Sequence, residues 1–263
     1  MPWIADCPIT SHQEVAPGHC RMVIHAPQIA KDAQAGQFCM LQVQEGLYPF
    51  LRRPMSVERI FADGLSFLYK IVGEGTRLLS RMTQGETINV QGPLGKPFPI
   101  DPSFDRHILV AGGIGIAPFP ALADAIKRTL GKTPEVIIAA RTEQALVGNR
   151  DFRQMGCKVH LATDDGSAGK KAFASEMLEK LRPGPGTVVY ACGPMPMMKA
   201  THAVCEAAGV PCFTSLEAEM ACGDGVCLGC AVEANVEIES ERMVRVCKDG
   251  PVFDSKLIHW ESY

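Results

Sequence analysis

Four cysteines near the C-terminus are the residues whose types and spacing indicate chemistry most directly. Cys222, Cys227 and Cys230 form the pattern C-x4-C-x2-C, and Cys247 follows after sixteen intervening residues. Four thiolates are the ligand set of a [2Fe-2S] cluster, and the spacing of the first three is typical of plant-type clusters. A structural zinc ion also takes four cysteines, although its sites usually show paired C-x2-C segments. The pattern therefore favours an iron–sulfur cluster over zinc as the bound metal.

Three glycines, Gly223, Gly225 and Gly229, alternate with these cysteines. We expect positive φ angles there, because glycine adopts them readily and they let the backbone wrap a cluster and direct N–H groups at its sulfurs. The chain has 11 cysteines, an odd number that argues against a disulfide framework. The other seven are scattered along the chain: Cys7, Cys20, Cys39, Cys157, Cys192, Cys205 and Cys212.

A glycine-rich segment and a cysteine-containing one indicate a nucleotide site. In AGGIGIAP, residues 111–118, Gly112, Gly113 and Gly115 lie between a predicted strand and a predicted helix, where a dinucleotide can approach the backbone. The segment is not a G-x-G-x-x-G fingerprint, so a purely structural turn fits it equally well. ACGPMPM, residues 191–197, ends a later strand at the same sheet edge. Cys192 is therefore a candidate to face a nicotinamide ring, the alternative being a small core residue.

Two segments nearer the N-terminus suit a flavin nucleotide. In RRPMS, residues 52–56, Arg53 can pair with a phosphate and stands three positions before Ser56, whose hydroxyl can hydrogen-bond a flavin edge. YKIVGEGT, residues 69–76, reads as a strand that ends in a glycine-rich turn. Each segment alone equally fits a solvated strand face or a hairpin, and their order before AGGIGIAP is what favours a nucleotide role.

The elements that must position these residues differ along the chain. Residues 1–101 show short apolar runs separated by turn residues, which predicts antiparallel strands closed into a small barrel. Residues 102–212 alternate strand-like and helix-like runs, including a helix near 118–129, which predicts a parallel α/β domain. Residues 213–263 are dominated by cysteine and glycine and form a small cluster domain. The fold class is thus mixed β and α/β.

Composition excludes several classes of partner. The 263 residues carry 26 Lys and Arg against 29 Asp and Glu, a net charge of -3 that offers no footprint for nucleic acid. Glycines, prolines and Asp124 interrupt the most apolar stretch, residues 108–126, which predicts no membrane span. The N-terminus lacks the basic and apolar regions of a signal peptide, so we expect a cytoplasmic protein.

The motifs in their order resemble the electron-transfer subunit of the two-subunit, NAD-dependent dihydroorotate dehydrogenase, within the ferredoxin reductase superfamily. The resemblance covers nearly the whole chain and rests on RRPMS, YKIVGEGT, GPLGKPF, AGGIGIAP, ACGPMPM, SLEAEMACGDGVCLGC and VCKDGPVF. It implies an FAD-binding barrel, an NAD-binding domain and a [2Fe-2S] domain. It also implies a cofactor site residue by residue. Arg53 matches the arginine on the FAD pyrophosphate and Ser56 the hydroxyl near the isoalloxazine, with Pro54 and Met55 between them as further cofactor contacts. Leu68, Tyr69 and Lys70 would lie along the ribityl chain, Gly75 and Thr76 in a phosphate turn, and Gly112, Gly113 and Gly115 in the pyridine-nucleotide loop.

Two positions refine what the resemblance implies. Met55 occupies the place of a tyrosine in the wider superfamily's R-x-Y-S motif, so another group must cover that face of the flavin. In TDDG, residues 163–166, Asp164 or Asp165 would repel a 2'-phosphate and accept a hydrogen bond from a free ribose hydroxyl, which favours NAD over NADP. Arg141 ends the preceding strand and weakens this inference, and a solvated turn is the alternative.

The implied activity is electron transfer between a partner subunit and NAD. The partner would be an FMN-containing catalytic subunit that oxidises dihydroorotate to orotate in pyrimidine biosynthesis, in a heterotetramer with two copies of each subunit. Two other readings stay open at this point. The same module could serve a hydrogenase, a sulfide dehydrogenase or a transhydrogenase, or the chain could be a zinc-stabilised binding module.

Overall fold

The computed structural model describes residues 2–46, 48–238 and 242–263. Six antiparallel strands close into a barrel in the order β1-β2-β5-β4-β3-β6, which confirms the predicted barrel. Short helices α1 (Pro27–Asp32) and α2 (Glu74–Leu79) lie between them. The strands are β1 (Trp3–Ala16), β2 (His19–His25), β3 (Phe38–Gln42), β4 (Arg53–Ile60), β5 (Gly64–Lys70) and β6 (Thr87–Leu94).

Alternation along the strands separates the barrel interior from its outer face. Met22, Val57 and Phe67 are fully buried in one apolar cluster inside the barrel. Their neighbours in sequence point to the opposite side, because successive side chains of a strand alternate between faces. On β5, for example, Leu68 belongs instead to the apolar cluster shared with the second domain. The outer face of β2, β4 and β5 thus faces the second domain.

The second domain is a seven-stranded sheet in the order β10-β9-β8-β7-β11-β12-β15, parallel except where β15 joins β12. Helices cover both faces, so the central strands are continuously apolar, as in Ile108–Ala111. Its strands are β7 (Arg106–Gly112), β8 (Glu135–Ala140), β9 (Lys158–Thr163), β10 (Lys170–Lys171), β11 (Thr187–Cys192) and β12 (Cys212–Ser215). Its helices are α3 (Phe119–Leu130), α4 (Asn149–Gln154), α5 (Ala174–Leu181) and α6 (Met195–Ala208).

The C-terminal segment contributes to this sheet as well as forming its own small one. Strands β13 (Ala231–Glu233) and β14 (Met243–Arg245) pair antiparallel, and β15 (Val252–Asp254) then pairs with β12. Strand β12 therefore runs across the predicted boundary between residues 212 and 213, and the domain limits stay a prediction. None of the helices in the described parts of the chain is long and apolar enough to cross a membrane.

Candidate functional site

A cavity of about 330 Å³ lies between the barrel and the parallel sheet. Residues from the ends of β4, β5 and β11 line it, because those strand ends meet where the two domains touch. The predicted flavin residues that line it are Arg53, Pro54, Met55, Ser56, Leu68, Tyr69, Lys70 and Thr76, together with Cys192. The structure thus brings eight of the predicted flavin contacts and the predicted nicotinamide contact to one place.

Two of these side chains point away from the cavity into the barrel. The Tyr69 hydroxyl lies 2.8 Å from His12 Nε2 in the barrel interior, where burial raises the pKa of the phenol. Met55 likewise belongs to the apolar cluster inside the barrel. The Tyr69 hydroxyl is therefore directed into the barrel, and the contact of this residue with the ribityl chain stays a prediction.

The predicted phosphate turn is the first turn of helix α2. A Cβ on Gly75 would lie 2.0 Å from Arg53 Nε, so a side chain at this position would displace the guanidinium from its present place. The Thr76 hydroxyl accepts hydrogen bonds from the N–H groups of Val72 at 2.9 Å and Gly73 at 3.1 Å. Thr76 therefore closes the turn beside the cavity, and the Arg53 side chain packs against Gly75.

A second, larger cavity of about 740 Å³ opens at the carboxyl edge of the parallel sheet. The predicted nucleotide residues that line it are Gly112, Gly113, Gly115 and Asp164. Lys70, Ile114 and Glu217 line both cavities, so the two spaces adjoin. A nucleotide in the larger cavity would therefore bring one end against the contents of the smaller one.

The three glycines of the nucleotide loop serve two purposes. A Cβ on Gly112 would lie 2.6 Å from Met197 Sδ, and one on Gly115 would lie 2.3 Å from the Cys192 carbonyl oxygen. These two glycines let the loops after β7 and β11 pack against each other. Gly113 has φ +56° and open space where a side chain would be, so it alone matches the expected close approach to a ligand.

Cys192 is 2% exposed at the end of β11, between the two loops. Burial raises the pKa of its thiol well above the ordinary value, and the negative charge of Glu217 adds to this effect. A hydrogen bond with the Ser215 side chain lowers the pKa by a smaller amount. The thiol is therefore protonated at neutral pH. A neutral thiol suits a packing contact with a ring and does not suit a nucleophile.

The structure distinguishes between the two aspartates of TDDG. The Asp165 carboxylate accepts hydrogen bonds from the Ser167 N–H and hydroxyl, which lower its pKa and hold it in a turn. Asp164 lines the larger cavity, as does Arg141. Asp164 is thus the carboxylate available to a ribose hydroxyl.

Sequence reasoning missed several residues of these cavities, and two of them have chemistry that bears on ligand binding. Glu217 lies just after β12 and borders both cavities. Desolvation by the surrounding protein raises the pKa of its carboxyl, although the residue is exposed to solvent. Phe173, at the start of α5, is 64% exposed at the wall of the larger cavity. An exposed aromatic ring beside a nucleotide cavity is a stacking surface. The position of Glu217 within SLEAEM, directly after a strand, was the available signal.

The four predicted ligand cysteines come together in two pairs. Cys230 Sγ and Cys247 Sγ lie 3.2 Å apart and both residues are buried. Cys222 interacts with the Cys227 side chain. Burial raises the pKa of the Cys222 thiol, but hydrogen bonds from this side chain and from the N–H groups of Cys227, Asp224 and Val226 outweigh it and lower the pKa to about 6. A lowered pKa favours the thiolate, which is the form that binds metal.

The two cysteine pairs match the ligand requirement of a two-iron cluster. Within residues 2–46, 48–238 and 242–263, no three His, Cys, Asp or Glu side chains converge as ligands of a single ion. A cluster of two irons needs one pair of thiolates for each iron, and the chain supplies two pairs. The N–H groups of Asp224, Gly229 and Cys247 also donate to ligand sulfurs at 3.4–3.5 Å.

The backbone of this loop differs from the prediction at one glycine. Gly223 and Gly225 have the expected positive φ, at +74° and +80°. Gly229 does not, and Leu228 beside it has φ +60° instead. A leucine in that conformation is strained, so the fold of the loop, and not residue preference, determines its shape.

The cysteine loop also contacts the barrel and the smaller cavity. The Gln91 side-chain amide of β6 donates to the Asp224 carboxylate at 3.2 Å, and a Cβ on Gly223 would lie 2.8 Å from Met40 Cγ. Met220, two residues before Cys222, lines the smaller cavity. The three predicted cofactor sites therefore adjoin in the order larger cavity, smaller cavity, cysteine loop.

Comparison with known proteins agrees with this arrangement. Residues 217–259 match the iron–sulfur cluster binding domain of dihydroorotate dehydrogenase B, and residues 109–203 match the oxidoreductase NAD-binding domain. The first match favours an iron–sulfur cluster over a zinc ion in the cysteine loop. In solved structures, an NADH-dependent reduced ferredoxin–NADP oxidoreductase studied for flavin-based electron bifurcation is similar, with a TM-score of 0.86 and 30% identity over 98% of this chain and 91% of that one.

Curated relatives match over nearly their whole length. The dihydroorotate dehydrogenase B (NAD(+)) electron transfer subunit of Desulforamulus reducens is 35% identical over 99% of this chain and 100% of the relative. The subunit of the same name from Caldanaerobacter subterraneus is 36% identical over 96% and 97%. These matches confirm the resemblance derived from the motifs. The chain belongs to the family of electron transfer subunits of NAD-dependent dihydroorotate dehydrogenase B.

Proposed function

We propose that this chain is an oxidoreductase subunit that passes electrons between NAD and a partner subunit that oxidises dihydroorotate to orotate. The observation that carries the proposal is the contiguity of three sites. The larger cavity takes NAD, the smaller cavity takes FAD, and the cysteine loop holds a [2Fe-2S] cluster, with Lys70, Ile114 and Glu217 shared by the first two. Met220 joins the second site to the third.

The residues of the chain bind and orient these groups. Arg53, seated on Gly75, meets the flavin pyrophosphate, and Ser56 hydrogen-bonds the ring edge. Asp164 accepts a hydrogen bond from the ribose 2'-hydroxyl and repels a 2'-phosphate, while Phe173 offers a face to the adenine. The buried, protonated Cys192 packs at the junction and helps exclude water. Bound FAD supplies the conversion between two-electron and one-electron transfer.

The surface around Cys227 is the proposed contact with the partner. Cys227 is the one exposed residue among the four ligands, and its neighbours Val226 and Leu228 are 80% and 63% exposed. Apolar side chains beside a solvent-facing cluster ligand suit a protein interface. We propose that an FMN-containing catalytic subunit docks here, in a heterotetramer with two copies of each chain, in the cytoplasm.

The decisive experiment measures NAD-dependent oxidation of dihydroorotate by the anaerobically purified native complex. Activity that is lost when this chain is removed and returns when it is added back supports the proposal. The control is NADH-dependent reduction of the FAD, which is the flavin that this chain holds. If NADH reduces the flavin and dihydroorotate produces no orotate, the partner assignment is wrong.

A second candidate is the same module serving another partner, as in a transhydrogenase. The observation that favours it is the likeness to the ferredoxin–NADP oxidoreductase structure at 30% identity over nearly the whole chain. Identification of the subunit that copurifies with this chain decides between the two. A ferredoxin- or NADP-reactive partner in place of one that oxidises dihydroorotate would favour the second candidate.

A further inference from the structure

A charged network lies between the barrel and the parallel sheet, close to both cavities but in neither. Arg21 on β2 donates from Nε to both Glu58 carboxylate oxygens at 2.9 Å, and from Nη2 to Glu58 at 2.6 Å. The same Nη2 contacts the Asp151 carboxylate of α4 at 2.5 Å. One guanidinium thus joins two carboxylates that belong to different domains.

The network is well removed from solvent on the barrel side. The side chains of Arg21 and Asp151 are 19% and 25% exposed, and that of Glu58 is fully buried. Ser66 on β5 completes the set by donating to Glu58 at 2.9 Å. Buried ion pairs are often replaceable by apolar residues without loss of stability, so stability alone does not account for this one. What the pair fixes is geometry, because a planar guanidinium binds a carboxylate in one orientation.

The positions of its members relate the network to the redox site. On three adjacent strands, each member of the network stands two positions from a residue that lines a cavity. The network residues are Arg21, Glu58 and Ser66, and the corresponding cavity residues are His19 on β2, Ser56 on β4 and Leu68 on β5. Strand residues two apart share a face. The pairing of β4 with β5 also shifts register between Val57 and Arg59, at Glu58 itself. The cavity wall and the network are therefore parts of one surface.

On the other side of the interface, Asp151 belongs to the domain that carries the nucleotide loop. Helix α4 begins after Gly148, and a Cβ on Gly148 would lie 3.3 Å from Ile116 Cγ1, at the end of that loop. The start of α4 thus lies against the end of the nucleotide loop, and we expect a shift of α4 relative to the barrel to move that loop as well. The network thus connects the barrel to the domain that carries the nucleotide loop.

We infer that Arg21, Glu58 and Asp151 are positioning residues for hydride transfer, holding the nicotinamide wall at a fixed distance from the flavin wall. This inference rests on the proposed function. Hydride transfer depends steeply on alignment, and a misplacement of about 1 Å can cost about 100-fold in rate. Removing the inter-domain contact should therefore slow the reaction step more than it weakens binding of NADH.

The test uses Asp151→Ala in the native complex, because Asp151 is the least buried member and its loss leaves the Arg21–Glu58 pair intact. Anaerobic stopped-flow mixing with NADH gives the limiting rate constant of flavin reduction and the dissociation constant separately. We expect the rate constant to fall about tenfold with the dissociation constant changed less than about twofold. Hydrogen exchange of the α4 amides should accelerate, whereas exchange of the barrel strands should not.

The matched control is Asp124→Ala, which removes a carboxylate from the same interface. Asp124 lies 3.5 Å from Arg59 and its side chain is 50% exposed, so its loss should leave both constants within about twofold of the wild type. Arg21→Lys is the second variant, since it keeps the charge but not the planar fork. It should also lower the rate constant.

Three results would overturn the inference. One is a wild-type rate constant in Asp151→Ala, even if that variant unfolds at a lower temperature. Another is an equal loss of rate in Asp124→Ala, which would indicate a general effect of interface charge. If NADH fails to reduce the flavin of the wild-type complex, the proposed function fails and the inference fails with it.

Discussion

The contact between Gly115 and Cys192 provides a quantitative test of the nucleotide site. A Cβ at Gly115 would lie 2.3 Å from the Cys192 carbonyl oxygen and 2.7 Å from Gly193 Cα. Ordinary van der Waals contact begins near 3.4 Å, so Gly115→Ala must separate the two loops by about 1 Å. Because reacting atoms tolerate little misplacement, we expect NADH-dependent flavin reduction to slow about 100-fold, or about 2.7 kcal/mol in activation free energy.

The assay is anaerobic flavin reduction by NADH, followed by stopped-flow absorbance in the native complex. Iron content and the absorbance of the cluster should not change, because the cysteine loop is not part of this contact. Gly184→Ala is the matched control, since Gly184 lies in the same domain, has no positive φ and has open space where a Cβ would be. That variant should react like the wild type.

A wild-type rate in Gly115→Ala would refute the reasoning. It would mean either that the loops separate without moving the nicotinamide, or that the nicotinamide does not bind between them. A variant that loses flavin binding as well would indicate that the contact stabilises the whole interface between the domains. Flavin content per chain, measured on the same preparation, distinguishes these outcomes.

Three further predictions address the cluster, cofactor choice and stability. Cys227→Ser should abolish the cluster, measured as iron content, and leave NADH reduction of the flavin intact; unchanged iron would exclude Cys227 as a ligand. Asp164→Asn should lower the preference for NADH over NADPH in kcat/KM by about tenfold, or about 1.4 kcal/mol, and an unchanged ratio would contradict its role. Burial and, to a smaller extent, the charge of Lys132 lower the pKa of His107 in the folded protein, so the unfolded chain binds the proton more tightly. The free energy of unfolding should therefore decrease as the pH is lowered below about 6.5. His107→Phe should flatten that dependence in urea titrations at pH 5 and pH 7, and an equally steep dependence would count against it.

The sequence predicts the architecture well where hydrophobic patterning is strong. The apolar runs of β7, β8 and β11 and the cysteine spacing are local signals, and the structure places them as expected. Strand β1 has a weak pattern in the sequence, because only Cys7 and Ile9 of its fourteen residues are buried and Pro8 lies between them. A strand whose outer face is polar over most of its length resembles a loop in sequence.

Details of the site depend on contacts between distant segments, which spacing does not encode. The role of Gly75 beneath Arg53 and the inward turn of Tyr69 follow from how the barrel closes. Leu228 is a further case, because its left-handed backbone conformation was expected at the neighbouring glycines, Gly225 and Gly229. The pair formed by Arg21 and Glu58 joins residues 37 apart, and neither residue type indicates burial.

The pairing of β15 with β12 has a consequence for how the protein matures. The chain leaves the sheet after Ser215, passes through all four ligand cysteines and returns at Val252 beside the strand it left. Strand β15 therefore covers an edge of β12 that would otherwise present unpaired backbone groups to other chains. Because the cysteine loop links these two strands, we expect a cluster bound in that loop to stabilise the pairing of β15 with β12. In a chain that lacks its cluster, this edge of β12 should therefore be more easily exposed to edge-to-edge association.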